Sequence, residues 1–319
     1  MAIPAVAAPD PAVLTEVRCG LCGSARARLR FADPPYRVVR CEDCGLVYVT
    51  PRRDEGKLRE MYAVDYWRSP AAKDFGYTDY LRDEPLYRRT YRRRFAVVRR
   101  HCSRPGRVLD VGCAAGFFLS VAKEEGWRCT GVEVSPAMSA FARERYGLDV
   151  RVGTLADQHL DAASFDLVTF WDVVEHLPDP ISVLREARRL VAPGGRVLVE
   201  TQNVASLFAR VLGRRWQHYK HAEHLYHFDP STVRRLLGEA GLEAVEVGSA
   251  LGGKYVSLEF VVERAQRVHP ALSKVLSPLR AIGRRSLYVN LFDEMVVVAR
   301  AKESEALAVA SPTANVDGR

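Results

Sequence analysis

The sequence VLDVGCAAGFFL at residues 108–119 constrains the fold more than any other segment of this chain. A short apolar run carries Asp110, two glycines (Gly112 and Gly116) bracket a turn, and a helical pattern follows. In a parallel α/β sheet, this order of strand, glycine turn and helix N-terminus presents the backbone to a nucleotide-like ligand. We therefore expect an α/β fold with a ligand site at this turn.

A second predicted strand, residues 129–134, carries Glu133, which follows Asp110 by 23 residues. An acid at the end of that strand can bind two ribose hydroxyls. The first turn has Ala114 between its two glycines and lacks the full Gly-x-Gly-x-x-Gly pattern that NAD enzymes usually have. The pattern favours a ligand that contains a ribose but no pyrophosphate.

Three further motifs follow in order: SFDLVTFWD at 164–172, VEHLPDP at 174–180 and APGGRVLVE at 192–200. Together with the 108–119 segment and Glu133, they resemble the class I S-adenosylmethionine (SAM)-dependent methyltransferases, in the group that includes ubiquinone-biosynthesis O-methyltransferases. The resemblance covers roughly residues 85–300. It implies a Rossmann-like, seven-stranded, mostly parallel sheet with helices on both faces, and SAM as the cofactor.

The resemblance also implies roles in the cofactor site. Glu133 would bind the ribose hydroxyls, Asp110 would orient the first loop or meet the amino group of the cofactor, and the glycines would let the backbone approach it. Leu155 and Ala156 would flank the adenine. The expected cofactor-binding residues are Asp110, Gly112, Cys113, Ala114, Gly116, Phe117, Glu133, Val134, Leu155, Ala156 and Asp172.

Four of the seven cysteines form two Cys-x2-Cys pairs, with eighteen residues between the pairs. This spacing is typical of a zinc ribbon, in which four thiolates hold Zn²⁺ tetrahedrally and leave no open position, so the site would be structural. Two disulfides or an iron-bound form are the alternatives. The predicted metal ligands are Cys19, Cys22, Cys41 and Cys44.

The predicted organisation is a disordered tail at 1–15, the zinc ribbon at 16–52, a helical lid or linker at 53–104, the methyltransferase domain at 105–301 and a second disordered tail at 302–319. Two long insertions, 201–228 and 251–290, are aromatic and basic, and we expect them to shape the acceptor site. Strands are predicted at 107–111, 129–134, 149–152, 166–170, 196–200, 243–248 and 294–300.

Four histidines recur at every third position: His218, His221, His224 and His227. On a helix, at most two of them could point into one cleft. The family carries a similar Glu-His-Leu-x-x-Phe stretch beside the acceptor site, so His224 and then His221 are the favoured candidates for a catalytic base. The alternative is a packed histidine with a structural hydrogen bond.

His176 is a third catalytic candidate. Asp172 and His176 either border the cofactor and acceptor or, as in some relatives, join Glu175 and His224 in holding a divalent metal that would orient an acceptor hydroxyl. A different motif, Asp-Pro-Pro-Tyr at 33–36, matches amino-methyltransferases that act on adenine. We reject that interpretation, because the motif lies inside the predicted zinc ribbon and not at the end of a sheet strand.

The net charge is +8, and part of the excess lies in an amphipathic helix with Arg88, Arg89, Arg92, Arg93, Arg94, Arg99 and Arg100. The helix has three alternative interpretations. It is a solvated basic face, a surface that steers a phosphorylated, nucleotide-linked or lipid-phosphate acceptor, or a contact for nucleic acid. No run of 18 apolar residues predicts a transmembrane helix, and the N-terminus does not read as a secretory signal, so we expect a cytoplasmic protein.

The predicted function is methyl transfer from SAM to a hydroxyl of a glycan or small-molecule acceptor. C-methylation of a nucleotide-linked sugar, RNA methylation and non-catalytic SAM binding by a regulator are the alternatives. Nucleic acid is disfavoured as a partner because the chain has no stacking aromatic array. The sequence leaves the oligomeric state open.

Overall fold

The computed structural model describes residues 14–54, 56, 58, 67, 80–268, 270–278 and 285–302. The predicted tails lie outside the described residues except for residues 14, 15 and 302, and so does most of the segment 55–79 of the predicted lid.

The N-terminal part of the described chain is a small antiparallel structure. Its strands are β1 (Leu14–Thr15), β2 (Ala27–Asp33), β3 (Tyr36–Cys41), β4 (Val47–Thr50) and β5 (Arg52–Arg53). Strands β2, β3 and β4 pair in that order, and Asp33 lies opposite Tyr36 at the turn between β2 and β3. The Asp-Pro-Pro-Tyr motif is therefore a hairpin turn of this small sheet.

The remaining strands of the described chain begin with β6 (Arg107–Val111), β7 (Arg128–Glu133), β8 (Asp149–Val152), β9 (Phe165–Trp171) and β10 (Val191–Gln202). They continue with β11 (Tyr226–His227), β12 (Leu242–Gly248), β13 (Lys254–Ser257), β14 (Ser286–Val289) and β15 (Glu294–Ala301). The main sheet has seven strands in the order β12-β15-β10-β9-β6-β7-β8, and β15 is antiparallel to both of its neighbours. The predicted fold class is confirmed.

Strand β11 does not join the main sheet. It pairs antiparallel with β4, with Tyr226 opposite Tyr48 and His227 opposite Val47, so the small N-terminal sheet has four strands. Residues far apart in sequence therefore share one sheet.

The described helices are α1 (Glu84–His101), α2 (Phe117–Glu124), α3 (Pro136–Tyr146), α4 (Pro180–Leu190), α5 (Leu207–Leu212), α6 (Pro230–Glu239), α7 (Leu258–Val268) and α8 (Pro270–Leu276). Ser135, Asp179 and Asp229 cap α3, α4 and α6, each accepting a backbone N–H in the first turn, and a proline follows each cap. None of the described helices is long and apolar enough to cross a bilayer.

The main sheet is buried on both faces. One face packs against α4 and α6 through residues such as Leu184 and Leu236, and the other packs against α1 and α2 through residues such as Phe95 and Phe118. Such burial explains why β6 and β9 read as nearly continuous apolar runs rather than alternating ones. The carboxyl ends of the parallel strands remain open for a ligand site.

The arginine-rich helix α1 is largely neutralised. Arg88 and Arg92 pair with Glu124, and Arg99 and Arg100 pair with Glu125 and Glu246. Arg89 and Arg93 lie over the rings of Tyr255 and Tyr288 in the two-stranded β13–β14 sheet, at 3.9 and 4.1 Å. Much of the charge on this solvated basic face is therefore paired with groups of the same chain.

Candidate active site

A cavity of about 350 Å³ opens at the carboxyl ends of β6, β7 and β9. Its volume lies within the range of small-molecule sites. The turn after β6, the end of β7 and the segment 153–156 after β8 form one part of its wall, and residues 171–173 and 176–179 after β9 form another. Trp67, Tyr80, Tyr87 and Tyr91, from the predicted lid segment, add aromatic side chains.

Asp110 is buried at the end of β6, where Thr169 donates a hydrogen bond of 2.6 Å to its Oδ1. Burial raises the pKa of Asp110 to about 8, in spite of that hydrogen bond. The carboxyl therefore carries little charge by itself at neutral pH, and a cationic ligand group beside it would favour its ionised form.

The turn after Asp110 depends on left-handed backbone. Gly112 has φ +70°, and a Cβ there would lie 2.7 Å from Val173 Cγ2. Ala114 has φ +48°, and its N–H donates to Glu133 Oε2 at 2.9 Å. Glu133 therefore holds the turn in a conformation that alanine rarely adopts.

Glu133 is buried at the end of β7 and lines the cavity. Its Oε2 accepts from Ala114, and its Oε1 accepts from the N–H of Ser135 at 2.8 Å. Burial raises the pKa of Glu133, and the backbone hydrogen bonds oppose that shift. Because a carboxylate has about four acceptor sites, Glu133 keeps acceptor capacity for ligand hydroxyls beside its backbone donors.

Most of the expected cofactor residues meet at this cavity. Gly116 and Phe117 are not among its lining residues: a Cβ on Gly116 would lie 2.7 Å from Leu148 Cδ1, and Phe117 stacks on Tyr80 behind the wall. These two residues support the site through packing. The expected residues that line the cavity are Asp110, Gly112, Cys113, Ala114, Glu133, Val134, Leu155, Ala156 and Asp172.

Asp172 follows β9 with φ +54°, a strained conformation that Asp tolerates better than most residues. Burial acts to raise its pKa, but the positive charges of Lys254 and Arg94 outweigh burial and hold the pKa below its ordinary value. The positive charges beside Asp172 therefore favour the ionised form of this cavity carboxyl.

The histidine-rich segment after α5 consists of turns and the short strand β11, not a helix. His176 lines the cavity, and the His224 ring lies 4.7 Å behind it and perpendicular to it. His224 Nδ1 lies 2.7 Å from the carbonyl oxygen of His218. That oxygen can only accept and favours a proton on Nδ1, whereas the amide nitrogen of Gln202, 2.9 Å from the same Nδ1, can only donate to it.

Burial lowers the pKa of His176 and lowers that of His224 well below its usual value. Both imidazoles are therefore neutral at physiological pH. His176 is further held by a hydrogen bond to the backbone of Glu223. A neutral imidazole with one nitrogen fixed by a backbone carbonyl can accept a proton at the other.

His221 lies elsewhere, although it is as buried as His224 (7 % exposed for each residue). Its Nε2 is 3.3 Å from Asp33, and its ring packs near Phe31 and Tyr36 of the N-terminal sheet. It does not line the cavity, so the structure offers it no path to a ligand there. The helical geometry behind its selection does not apply to a segment made of turns.

Three of the four residues predicted for the alternative divalent-metal site lie close together. Ligand atoms of Glu175, His176 and His224 lie within 4.8 Å of one another, and Asp172 is not part of this group. Glu175 accepts a hydrogen bond of 2.9 Å from Thr201. Burial, and then the charge of Asp172, raise the pKa of Glu175 well above its usual value.

The four N-terminal cysteines also converge. Their sulfur atoms all lie within 4.8 Å of one another, with Cys19–Cys44 at 3.4 Å and Cys22–Cys41 at 3.5 Å. Sulfurs 2.3 Å from one Zn²⁺ at the corners of a tetrahedron would be about 3.8 Å apart. All four are free thiols, so the donor set and its spacing fit a tetrahedral metal.

An unexpected feature is a buried charge cluster beside Asp172. Arg94 of α1 donates to Glu200 of β10, to Glu294 of β15 and to the carbonyl oxygen of Gly252. Arg94 lies three residues after Tyr91, on the apolar face of α1. This position is the sequence signal that distinguishes Arg94 from the other arginines of the helix.

The sequence matches known methyltransferases. Residues 80–247, 168 of the 319, match the family described as a methyltransferase domain. The ubiquinone biosynthesis O-methyltransferase of Pseudomonas aeruginosa (strain UCBPP-PA14) is 35 % identical over 155 residues, which are 44 % of this chain and 66 % of that protein. The corresponding enzyme of Xanthomonas oryzae pv. oryzae (strain PXO99A) is 34 % identical over 132 residues, 36 % of this chain and 55 % of that protein.

The chain thus spans between about half and two thirds of the length of these relatives. Among solved structures, a chain of the Haloferax volcanii complex between the Trm112 methyltransferase activator and a methyltransferase is 21 % identical. Its TM-score is 0.50, and the match covers 70 % of this chain and 94 % of that chain. This likeness concerns the fold alone. With more than half of its length matched to the methyltransferase domain, the chain belongs to the class I SAM-dependent methyltransferases.

Proposed function

We propose that this SAM-dependent methyltransferase methylates a hydroxyl group of a small-molecule acceptor. The observation that carries the proposal is the neutral imidazole of His176 on the cavity wall, close to the ionised Asp172. A hydroxyl must lose its proton as it is methylated, and a neutral imidazole can take that proton. The names of the relatives, O-methyltransferases of ubiquinone biosynthesis, support a hydroxyl acceptor of phenolic type.

The cofactor would lie along the β6–β7 side of the cavity. We assign the ribose hydroxyls to the free acceptor sites of Glu133 and the ammonium group to Asp110, whose carboxyl it would ionise. Leu155 and Ala156 would cover the adenine. SAM supplies an activated methyl group, so the protein contributes mainly by positioning the acceptor.

The proposed base is His176, with His224 as its support. His176 lines the cavity, whereas His224 lies behind it, and this supports the reverse of the order that the sequence favoured. His224 would support His176 by packing perpendicular to its ring at 4.7 Å.

We further infer that Cys19, Cys22, Cys41 and Cys44 hold a structural Zn²⁺. The fit of the four sulfurs to a tetrahedron supports this assignment, and a segment this short gains much of its stability from such an ion. Metal analysis of the purified protein should give one zinc per chain, which the Cys44→Ser variant should lose.

The experiment that tests the function supplies purified protein with methyl-labelled SAM and two acceptor sources: a panel of catechols and other phenols, and fractionated extract of the source organism. Label in a nuclease-resistant small-molecule fraction, released as an O-methyl group, is the expected result. Label that follows RNA and is lost with ribonuclease would overturn the proposal, as would label on carbon.

Matched variants then test the base. His176→Gln should lower kcat/KM by about 10²–10⁴-fold, the usual contribution of a general base. His221→Gln removes a buried histidine of the same region that does not line the cavity, and it should leave kcat/KM nearly unchanged. Equal losses in both variants would show that histidine removal acts through folding and not through proton transfer.

A further inference from the structure

The N-terminal sheet is joined to the cavity wall by a continuous set of contacts. Strand β11 extends that sheet through β4, and the N–H of Val49 donates to the carbonyl oxygen of Leu225 at 3.0 Å. On its other side, Leu225 donates its own N–H to the carbonyl oxygen of Glu175 at 2.8 Å. The segment beside His224 is thus held between the N-terminal sheet and the residue that precedes His176.

A second connection begins between two of the cysteines. Gly20 lies between Cys19 and Cys22, and a Cβ at Gly20 would overlap the Tyr226 hydroxyl and lie 2.8 Å from Tyr226 Cζ. The backbone of the first cysteine turn therefore packs directly on the Tyr226 ring, and only glycine leaves room for that approach.

Tyr226 also contacts the wall of the cavity. Its hydroxyl donates to the carbonyl oxygen of Pro178 at 2.9 Å, and Arg52 Nη2 donates to the same oxygen at 3.2 Å. The Arg52 guanidinium also lies 5.0 Å from the centre of the Tyr226 ring. Pro178 lines the cavity two residues after His176.

We infer that the N-terminal segment with the four cysteines, residues 16–52, is a structural part of the acceptor site. Tyr226 and Arg52 are the positioning residues that fix the 176–179 wall. Occupancy of the cysteine site by Zn²⁺ then sets acceptor binding, while the cofactor residues of β6 and β7 are held independently through the main sheet. This inference rests on the proposed acceptor side of the cavity, and it extends the role of the metal from stability to substrate binding.

Hydrogen–deuterium exchange gives a test that needs no acceptor. Tyr226→Phe combined with Arg52→Ala removes both donors to Pro178 and leaves every cysteine in place. In this variant, zinc content should stay at that of the wild type, amide exchange within 175–179 should become faster, and exchange within 110–116 should not change. The control pair, Tyr219→Phe with Arg37→Ala, alters the same sheet without touching Pro178 and should exchange like the wild type.

Binding measurements complete the test. The double variant should bind S-adenosylhomocysteine with unchanged Kd in calorimetry, and its KM for the acceptor found above should rise about fivefold for each lost hydrogen bond. Chelation of the metal should accelerate exchange at 175–179 and 225–227 in the same way. Wild-type exchange at 175–179 in the double variant, or a parallel loss of S-adenosylhomocysteine affinity, would overturn the inference. Failure to find any hydroxyl acceptor would instead refute the proposed function. It would leave the structural inference standing, because the exchange result does not depend on an acceptor.

Discussion

Replacement of Arg94 by methionine is the most informative single change in this protein. The arginine is 3 % exposed, and its partners Glu200 and Glu294 are 0 % and 2 % exposed. Both carboxylates and the carbonyl oxygen of Gly252 share the guanidinium, so the cluster joins α1 to two neighbouring strands of the main sheet. Methionine fills most of the aliphatic volume but donates no hydrogen bond.

The magnitude follows from the burial of the partners. Removal of one member of a buried ion pair costs about 3–5 kcal/mol, because the opposite charge stays buried without its partner. Glu294 keeps its ion pair with Lys254, so Glu200 is the carboxylate that loses its partner. The loss is large against a typical unfolding free energy of about 5–15 kcal/mol. At about 2–4 °C per kcal/mol for a large domain, Tm should fall by roughly 10 °C.

Arg99→Met is the matched control on the same helix. The Arg99 side chain is 56 % exposed and pairs with Glu125, and exposed pairs contribute about 0–1 kcal/mol. Urea unfolding of the wild type and both variants measures the difference directly. Equal losses of free energy in Arg94→Met and Arg99→Met would refute the reasoning.

The pH dependence of Arg94→Met has a definite sign. Burial, and then the neighbouring acids, raise the pKa of Glu200 even against the opposing charge of Arg94, and loss of the guanidinium raises this pKa further. The folded state then binds more protons than the unfolded state, so the unfolding free energy falls as pH rises. The deficit of the variant should be largest above neutral pH and should shrink toward pH 5, and a deficit that grows on acidification would contradict this.

Other residues give independent tests. Glu133→Gln must present its amide NH₂ to one of two backbone N–H donors, so S-adenosylhomocysteine affinity should fall about 100-fold in calorimetry. Because burial lowers the pKa of His176, kcat/KM should stay on its plateau below pH 6.5 in a pH–rate profile, and a loss centred at 6.5 would point to an exposed base. Gly116→Ala places a Cβ 2.7 Å from Leu148 at φ +75° and should cost about 1–3 kcal/mol in urea unfolding.

The parts of the fold that the sequence predicts are those encoded locally. The strand, glycine turn and helix at 108–119 form as expected because the apolar run, the two positive-φ glycines and the helical pattern all lie within a dozen residues. The caps at Ser135, Asp179 and Asp229 are equally local, since each side chain bonds to an N–H two or three positions later. The seven-stranded, mostly parallel sheet came from the resemblance and is confirmed.

The parts that the sequence does not predict depend on distant partners. Tyr226 pairs with Tyr48 across most of the chain, and nothing in either segment specifies the other. The expectation that at most two of the four histidines share a cleft assumed a helix, but tertiary contacts fold that segment into turns and leave His221 against Asp33. Arg94 stands in a run of arginines, and its ion-pair partners Glu200 and Glu294 lie on strands that are distant in sequence.

The division between shared and additional elements bears on the acceptor. The match to the methyltransferase domain covers residues 80–247, which include Asp110, Glu133 and His176, and excludes both the four-cysteine segment and the two-stranded β13–β14 sheet. The four-cysteine segment contacts the wall at Pro178, while Lys254 of β13 acts on the charge of Asp172. Groups outside the shared domain therefore act on the proposed acceptor side of the cavity, and the pathway named for the relatives is a starting point for the substrate panel rather than its limit.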